Sequence, residues 1–135
     1  MATHVSTIET LVVELETKPG ALGQVYNAFR EAGVNVNASW GFERGPGKAQ
    51  AILYPRDMTK TKDVLTKMKL KFTPGKACYA EGDDKVGCYA DLLQKVTAAK
   101  VNLHATDAMA IGGKFACAFW TEDKDFPALC RALGC

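Results

Sequence analysis

Residues Lys18 to Ala38 read KPGALGQVYNAFREAGVNVNA, a tight loop feeding a helix that returns into a strand. Leu22, Val25, Tyr26 and Phe29 recur at i, i+3, i+4 and i+7, while Gln24, Asn27, Arg30 and Glu31 fill the opposite side, the pattern of an amphipathic helix with one buried stripe. Pro19 has a φ already near the helical value and no amide to leave unpaired, so it suits the first turn, and Gly20 lets a backbone or ligand come close. Gly33 is placed to end the helix. From Val34 to Trp40 apolar and polar residues alternate, the two-residue period of a strand with one face on a core. The amides of Gly20, Ala21 and Leu22 then sit at a helix start, where unpaired N–H groups favour an anion by about 0.3–1 kcal/mol.

Outward from this stretch, Ile8 to Glu16 reads as a strand with Leu11, Val13 and Leu15 on one face. A hairpin follows the helix: a strand from Val34 to Phe42, turn residues from Glu43 to Lys48, and a returning strand from Ala49 to Tyr54. Asp57 is a candidate cap for a second helix, with Val64, Leu65 and Met68 facing inward. Pro74-Gly75 breaks the chain, and Lys76 to Gly82 is a short strand. An offset of 67 residues then carries Lys18 onto Lys85, Gly20 onto Gly87, Ala32 onto Ala99, and Val34-Asn35 onto Val101-Asn102. Tyr89, Leu92, Leu93 and Val96 repeat the helical stripe, and Phe126, Leu129, Cys130 and Leu133 form another for a closing helix. The chain is read as a tandem repeat, divided at 6–75 and 76–135, with the strand 76–82 open to serving one repeat or both. After Leu133 no residues remain for a final strand of the second repeat, which should leave an edge uncovered.

Composition narrows the function classes. With 135 residues the chain can bury about two-thirds of its unfolded surface. A formal net charge of +2 provides no field selecting nucleic acid, and the lysines from Lys60 to Lys76 read as a solvated face. The N-terminus lacks a basic region followed by an apolar run, and no stretch of 18 apolar residues occurs, so a cytoplasmic protein without membrane attachment is expected. The five cysteines form no CxxC pattern and have no histidine at metal-ligand spacing, so reduced thiols acting as small apolar fillers are expected. Cys88, at a helix start, and Cys135, at an oxidisable end, are the two to watch.

The run from Leu11 to Val36, with PGAL opening the helix and GVNV closing it, resembles the ACT domain, a regulatory fold of βαββαβ order that binds amino acids. The resemblance implies an α+β fold, two ferredoxin-like βαββα(β) ACT repeats packed side by side with antiparallel sheets. It implies a ligand site at the first loop, Lys18, Pro19, Gly20, Ala21 and Leu22, with the strand asparagines Asn35 and Asn37. In the second copy the matching positions are Gly87, Cys88, Tyr89, Asn102 and His104. The family usually has Asp or Asn where Lys18 stands, and the second copy has Val86 for the proline, Tyr89 for the leucine and Lys100 for the helix-ending glycine. Asn35 and Asn102 read equally well as polar caps of a strand edge, and His104 as an ordinary hydrogen-bonded histidine.

No catalytic, cofactor or metal constellation is visible. The two histidines, His4 in a frayed terminus and His104 in a predicted strand, offer no nucleophile–base pair, and Gly45-Pro46-Gly47 reads as a turn. By resemblance the chain is a stand-alone amino-acid-binding regulatory or sensor module, a homodimer, acting on a regulated metabolic enzyme. The alternative is a non-catalytic interaction or scaffold protein whose loops no longer bind a ligand.

Overall fold

The computed structural model describes residues 3–135. In order along the chain stand β1 (His4–Glu16), α1 (Ala21–Ala32), β2 (Val36–Gly45), β3 (Lys48–Pro55), α2 (Met58–Lys67), β4 (Phe72–Asp83), α3 (Cys88–Ala98), β5 (Ala105–Ile111), β6 (Lys114–Trp120) and α4 (Phe126–Leu133). They divide into two compact units. One is Glu9–Gly75; the other joins Lys76–Cys135 to Ile8 and the described residues before it. The division therefore falls inside β1 and inside β4.

In the Glu9–Gly75 unit the strand order is β2-β3-β1-β4. β3 pairs antiparallel with β1, Leu11 opposite Leu53, and with β2, Trp40 opposite Ile52. α1 packs on α2, and together they cover a core of Leu11, Val13, Val25, Phe29, Leu53 and Leu65. Burying each such side chain contributes about 1.5–3 kcal/mol, and it is the alternation of β1 with the α1 stripe that aims them at one another. Leu22 and Tyr26, expected in that stripe, lie at its half-buried margin. Asp57 caps α2 as expected, its Oδ1 accepting from the Lys60 amide at 3.0 Å. The inward residues of α2 are Thr61 and Leu65, with Val64 and Met68 at the rim. Thr61 tolerates full burial because its hydroxyl donates to the Asp57 carbonyl at 2.7 Å.

In the other unit the order is β1-β4-β6-β5, with Ala80 and Ala108 both opposite Cys117 on β6. α3 and α4 cover Cys78, Ala80, Leu92, Val96, Phe119 and Leu129. Four expectations are corrected here. The second repeat does not lack its fourth strand: the leading residues of β1, His4 to Ile8, occupy that place beside β4, with Val5 against the core. His4 accordingly begins a strand rather than a frayed end, and His104 precedes β5 instead of lying in it. Lys76–Gly82 is part of a longer strand, β4, that begins at Phe72.

The cysteines are also corrected. Cys78 and Cys135 form a disulfide, their Cα atoms 6.1 Å apart, while Cys88, Cys117 and Cys130 remain thiols. The physical reason is Gly134, at φ 87°, which turns the chain after α4 back so that the Cys135 amide reaches the Cys130 carbonyl at 3.1 Å.

Candidate functional site

The first loop is built around Gly20. At φ 85° and ψ −3° it takes a left-handed conformation, and a Cβ added there would meet nothing within 4 Å, so the backbone path rather than crowding calls for glycine. That turn places Pro19 ahead of the cap, outside the helix, and corrects its expected place in the first turn; α1 begins at Ala21. The Ala21 amide donates to the Lys18 carbonyl at 3.3 Å and the Gln24 amide to the Gly20 carbonyl at 2.9 Å. No side chain caps this helix start. First-turn amides with no intrahelical acceptor are open to an anionic group.

Beside the loop is a cavity of about 450 Å³, lined by Lys18, Pro19, Ala21 and Leu22 from the loop and helix and by Gly41 and Phe42 from β2. Its size lies within the span of small-molecule sites, roughly 300–1,000 Å³. Phe42, 45% exposed, is the aromatic residue of the lining. A Cβ at Gly41 would stand 3.6 Å from the Leu22 side chain, an ordinary contact, so β2 and the helix already lie within packing distance here. Lys18 holds the charge at the mouth, its Nζ 3.0 Å from Glu16 Oε2, with both side chains more than half exposed. Such a pair is worth little, about 0–1 kcal/mol, so a carboxylate ligand can compete for the ammonium. From the sequence Phe42, like Trp40, reads as a core or dimer-packing residue rather than a ligand contact, and Gly41 carries no signal; their place in this lining is decided by the fold.

Asn35 and Asn37 lie elsewhere in this unit. They follow the far end of α1, whose 12 residues span roughly 18 Å. Asn35 Oδ1 accepts from the Val36 amide at 2.9 Å, and Asn37 Oδ1 accepts from Arg56 Nε at 3.1 Å. They brace the start of β2 and do not enter the cavity at Gly20.

The second loop repeats the first in backbone and differs in side chains. Gly87 stands at φ 87° and ψ −1°, again without a side-chain cap; the Cys88 amide donates to Lys85 O at 3.1 Å and the Asp91 amide to Gly87 O at 2.8 Å. Tyr89 turns inward. Its hydroxyl donates to Thr106 Oγ1 at 2.7 Å, which donates onward to the Ala118 carbonyl at 2.9 Å, and its ring stacks on Phe119. Cys88 is half-buried against the same core. Asn102 is exposed ahead of β5. The His104 amide donates to the Trp120 carbonyl at 2.8 Å, and its Nε2 lies 3.8 Å from Glu122 Oε1. Lys114 Nζ donates to Asp83 Oδ1 where β4 enters this loop, and that bond holds the Asp83 carboxyl below the usual range. Tyr89 is thus a packing residue whose tip is already satisfied, while Gly87 keeps an uncapped helix start.

Among the described residues no group of three or more His, Cys, Asp or Glu could hold a metal ion, and no helix is long and apolar enough to cross a membrane.

No family model and no curated protein matches the chain by sequence. Solved structures do. A protein of Bacteroides thetaiotaomicron is 16% identical with a TM-score of 0.83, 96% of this chain and 88% of that one being covered. The ligand-free regulatory subunit of aspartate kinase from Thermus thermophilus is 13% identical with a TM-score of 0.66, over 98% and 94% of the two chains. The corresponding subunit from Thermus flavus is 14% identical with a TM-score of 0.62, over 99% and 95%. At such identities the likeness is one of fold, and it runs the length of the chain. In fold, this chain shares the α+β architecture of the aspartate kinase regulatory subunits it resembles.

Proposed function

We propose that this chain is an amino-acid-binding regulatory module with no catalysis of its own, acting in the cytoplasm on a metabolic enzyme. The observation that carries the reading is the Gly20 loop: an uncapped helix start beside a cavity of about 450 Å³ whose lining includes Lys18 and Phe42. An α-carboxylate would meet the first-turn amides and Lys18, and an apolar side chain would meet Leu22 and Phe42. The architecture shared with aspartate kinase regulatory subunits supports the regulatory part of the reading. A ligand of about eight to ten heavy atoms at roughly 0.5–1 kcal/mol each binds in the millimolar to micromolar range, suited to sensing metabolite pools.

A second reading, an interaction protein without a ligand, draws on Lys18 already being paired with Glu16 and Tyr89 already being satisfied. Thermal-shift assays against the twenty amino acids, followed by calorimetry on any that respond, separate the two. The proposal expects one or a few amino acids to raise Tm and to bind in that range. Lys18→Ala should weaken that binding. Absence of any shift or heat at millimolar amino acid would overturn the proposal in favour of the second reading.

A further inference from the structure

Three sulfur atoms meet at the end of α4, and neither the fold nor the loop site accounts for them. Cys78 and Cys135 are bonded, and Cys130 Sγ, a free thiol, stands 3.0 Å from Cys135 Sγ. The backbone builds this proximity: the Gly134 and Cys135 amides both donate to the Cys130 carbonyl, at 2.7 and 3.1 Å, around the left-handed Gly134. Thr7 Oγ1 lies 3.7 Å from Cys130 Sγ on another side. Cys78 is fully buried on β4, whereas Cys130 is half-exposed.

We propose that Cys78, Cys130 and Cys135 form a thiol–disulfide exchange site in which Cys130 is the resolving nucleophile and a low-molecular-weight monothiol is the external partner. The Cys130 thiolate attacks Cys135 Sγ, a Cys130–Cys135 bond forms, the Cys78–Cys135 bond breaks, and the electron pair leaves on Cys78 Sγ, which takes up the proton that Cys130 released to water. Nothing is oxidised or reduced overall. The tether between β4 and the end of α4, 57 residues apart in sequence, is replaced by a local loop within the end of α4. Burial disfavours the Cys78 thiolate as a leaving group, so exchange is coupled to loosening of α4 from the core. An external monothiol enters the same relay: its thiolate attacks Cys135 Sγ and displaces Cys78, and Cys130 then resolves the mixed disulfide, expelling the monothiol and forming Cys130–Cys135.

The test uses the full chain purified without reductant, its free thiols alkylated and its bridges mapped by mass spectrometry before and after incubation in mild urea at slightly alkaline pH. Expected first is a Cys78–Cys135 bridge with Cys130 alkylated, and afterwards a Cys130–Cys135 bridge with Cys78 newly alkylated. In Cys130→Ser the second bridge should be absent. Loss of the Cys78–Cys135 bridge to a monothiol should then slow by about tenfold or more, because the mixed disulfide reverts when no neighbouring thiol resolves it; reduction by a phosphine should be unchanged. Should the serine variant fail to fold, Cys130→Ala carries the same comparison, and the wild-type map stands without either. A wild-type chain keeping only Cys78–Cys135 after incubation would overturn the proposal. So would alkylation of all five cysteines at the outset, or a Cys130 variant that responds to the monothiol at the wild-type rate.

Discussion

Gly33 and Lys100 occupy equivalent positions in the two repeats, and exchanging their chemistry should move stability in opposite directions. Both follow their helices in a left-handed turn, at φ 71° and φ 58°. The hydrogen bonds agree residue for residue: Gly33 N to Arg30 O and Val34 N to Phe29 O in one, Lys100 N to Thr97 O and Val101 N to Val96 O in the other. A Cβ at residue 33 would meet nothing within 4 Å, and Lys100 is exposed, so neither change creates or loses packing. What remains is backbone. A left-handed residue with a Cβ costs about 1–2 kcal/mol, and glycine gives back about 0.4–1 kcal/mol through its looser unfolded chain. The net for each exchange is therefore about 0.5–1 kcal/mol, stabilising for Lys100→Gly and destabilising for Gly33→Ala. Over 135 residues an unfolding entropy of about 2.1 cal/mol/K per residue makes 1 kcal/mol worth about 3–4 °C. Urea denaturation followed by Trp120 fluorescence in a Trp40→Phe background measures it, and Lys100→Ala serves as the reference that removes the ammonium without relieving the turn. A Lys100→Gly chain no more stable than Lys100→Ala would refute the reasoning, because the turn would then carry no left-handed cost.

Gly20→Val should leave the chain folded at a backbone cost of about 1–2 kcal/mol and weaken amino-acid binding at least tenfold by calorimetry; unchanged affinity would place the carboxylate elsewhere. Cys135→Ser removes a bridge spanning 57 residues of sequence and should cost about 4 kcal/mol by chain entropy in urea melts, with dithiothreitol having the same effect on wild type. Burial, aided by Cys88, pushes the Cys117 thiol up to about 12. The unfolded thiol ionises near its ordinary value while the folded one keeps its proton, so this stability is intact at neutral pH and falls between about pH 9 and 12, at up to about 1.4 kcal/mol per unit. A Cys117→Ala chain should lack that part of the alkaline loss when melts are compared across pH. Light scattering should give twice the 14.6 kDa monomer mass, through apolar contact at Phe42 or at Met109 and Ile111, which are 68% and 76% exposed; a monomer at every protein concentration would exclude the dimer.

The amino-acid sequence by itself determined the features whose cause lies within a few residues. The α1 stripe, the Asp57 cap, the hairpin and the helix-ending Gly33 follow from periods of 3.6 and 2 and from positions that need a positive φ, and the repeat was legible because Gly87 stands where Gly20 stands. Even so, Pro19 fell outside the helix, because the left-handed Gly20 interrupts the path that a proline in the first turn would have started. Tertiary structure alone decided which distant segments meet. Nothing local in His4 to Ile8 says that these residues complete the second unit, since a strand's pairing partner is set by which sheet edge lies open when the chain folds. The partner of Cys78 was equally hidden, because an odd set of spaced cysteines leaves the pairing free until the Gly134 turn brings Cys135 onto β4. Within the candidate site, Lys18 to Leu22 were visible as a loop motif, whereas Phe42 joined them and Asn35 and Asn37 left them because a helix of about 18 Å separates the two ends of one short stretch of sequence.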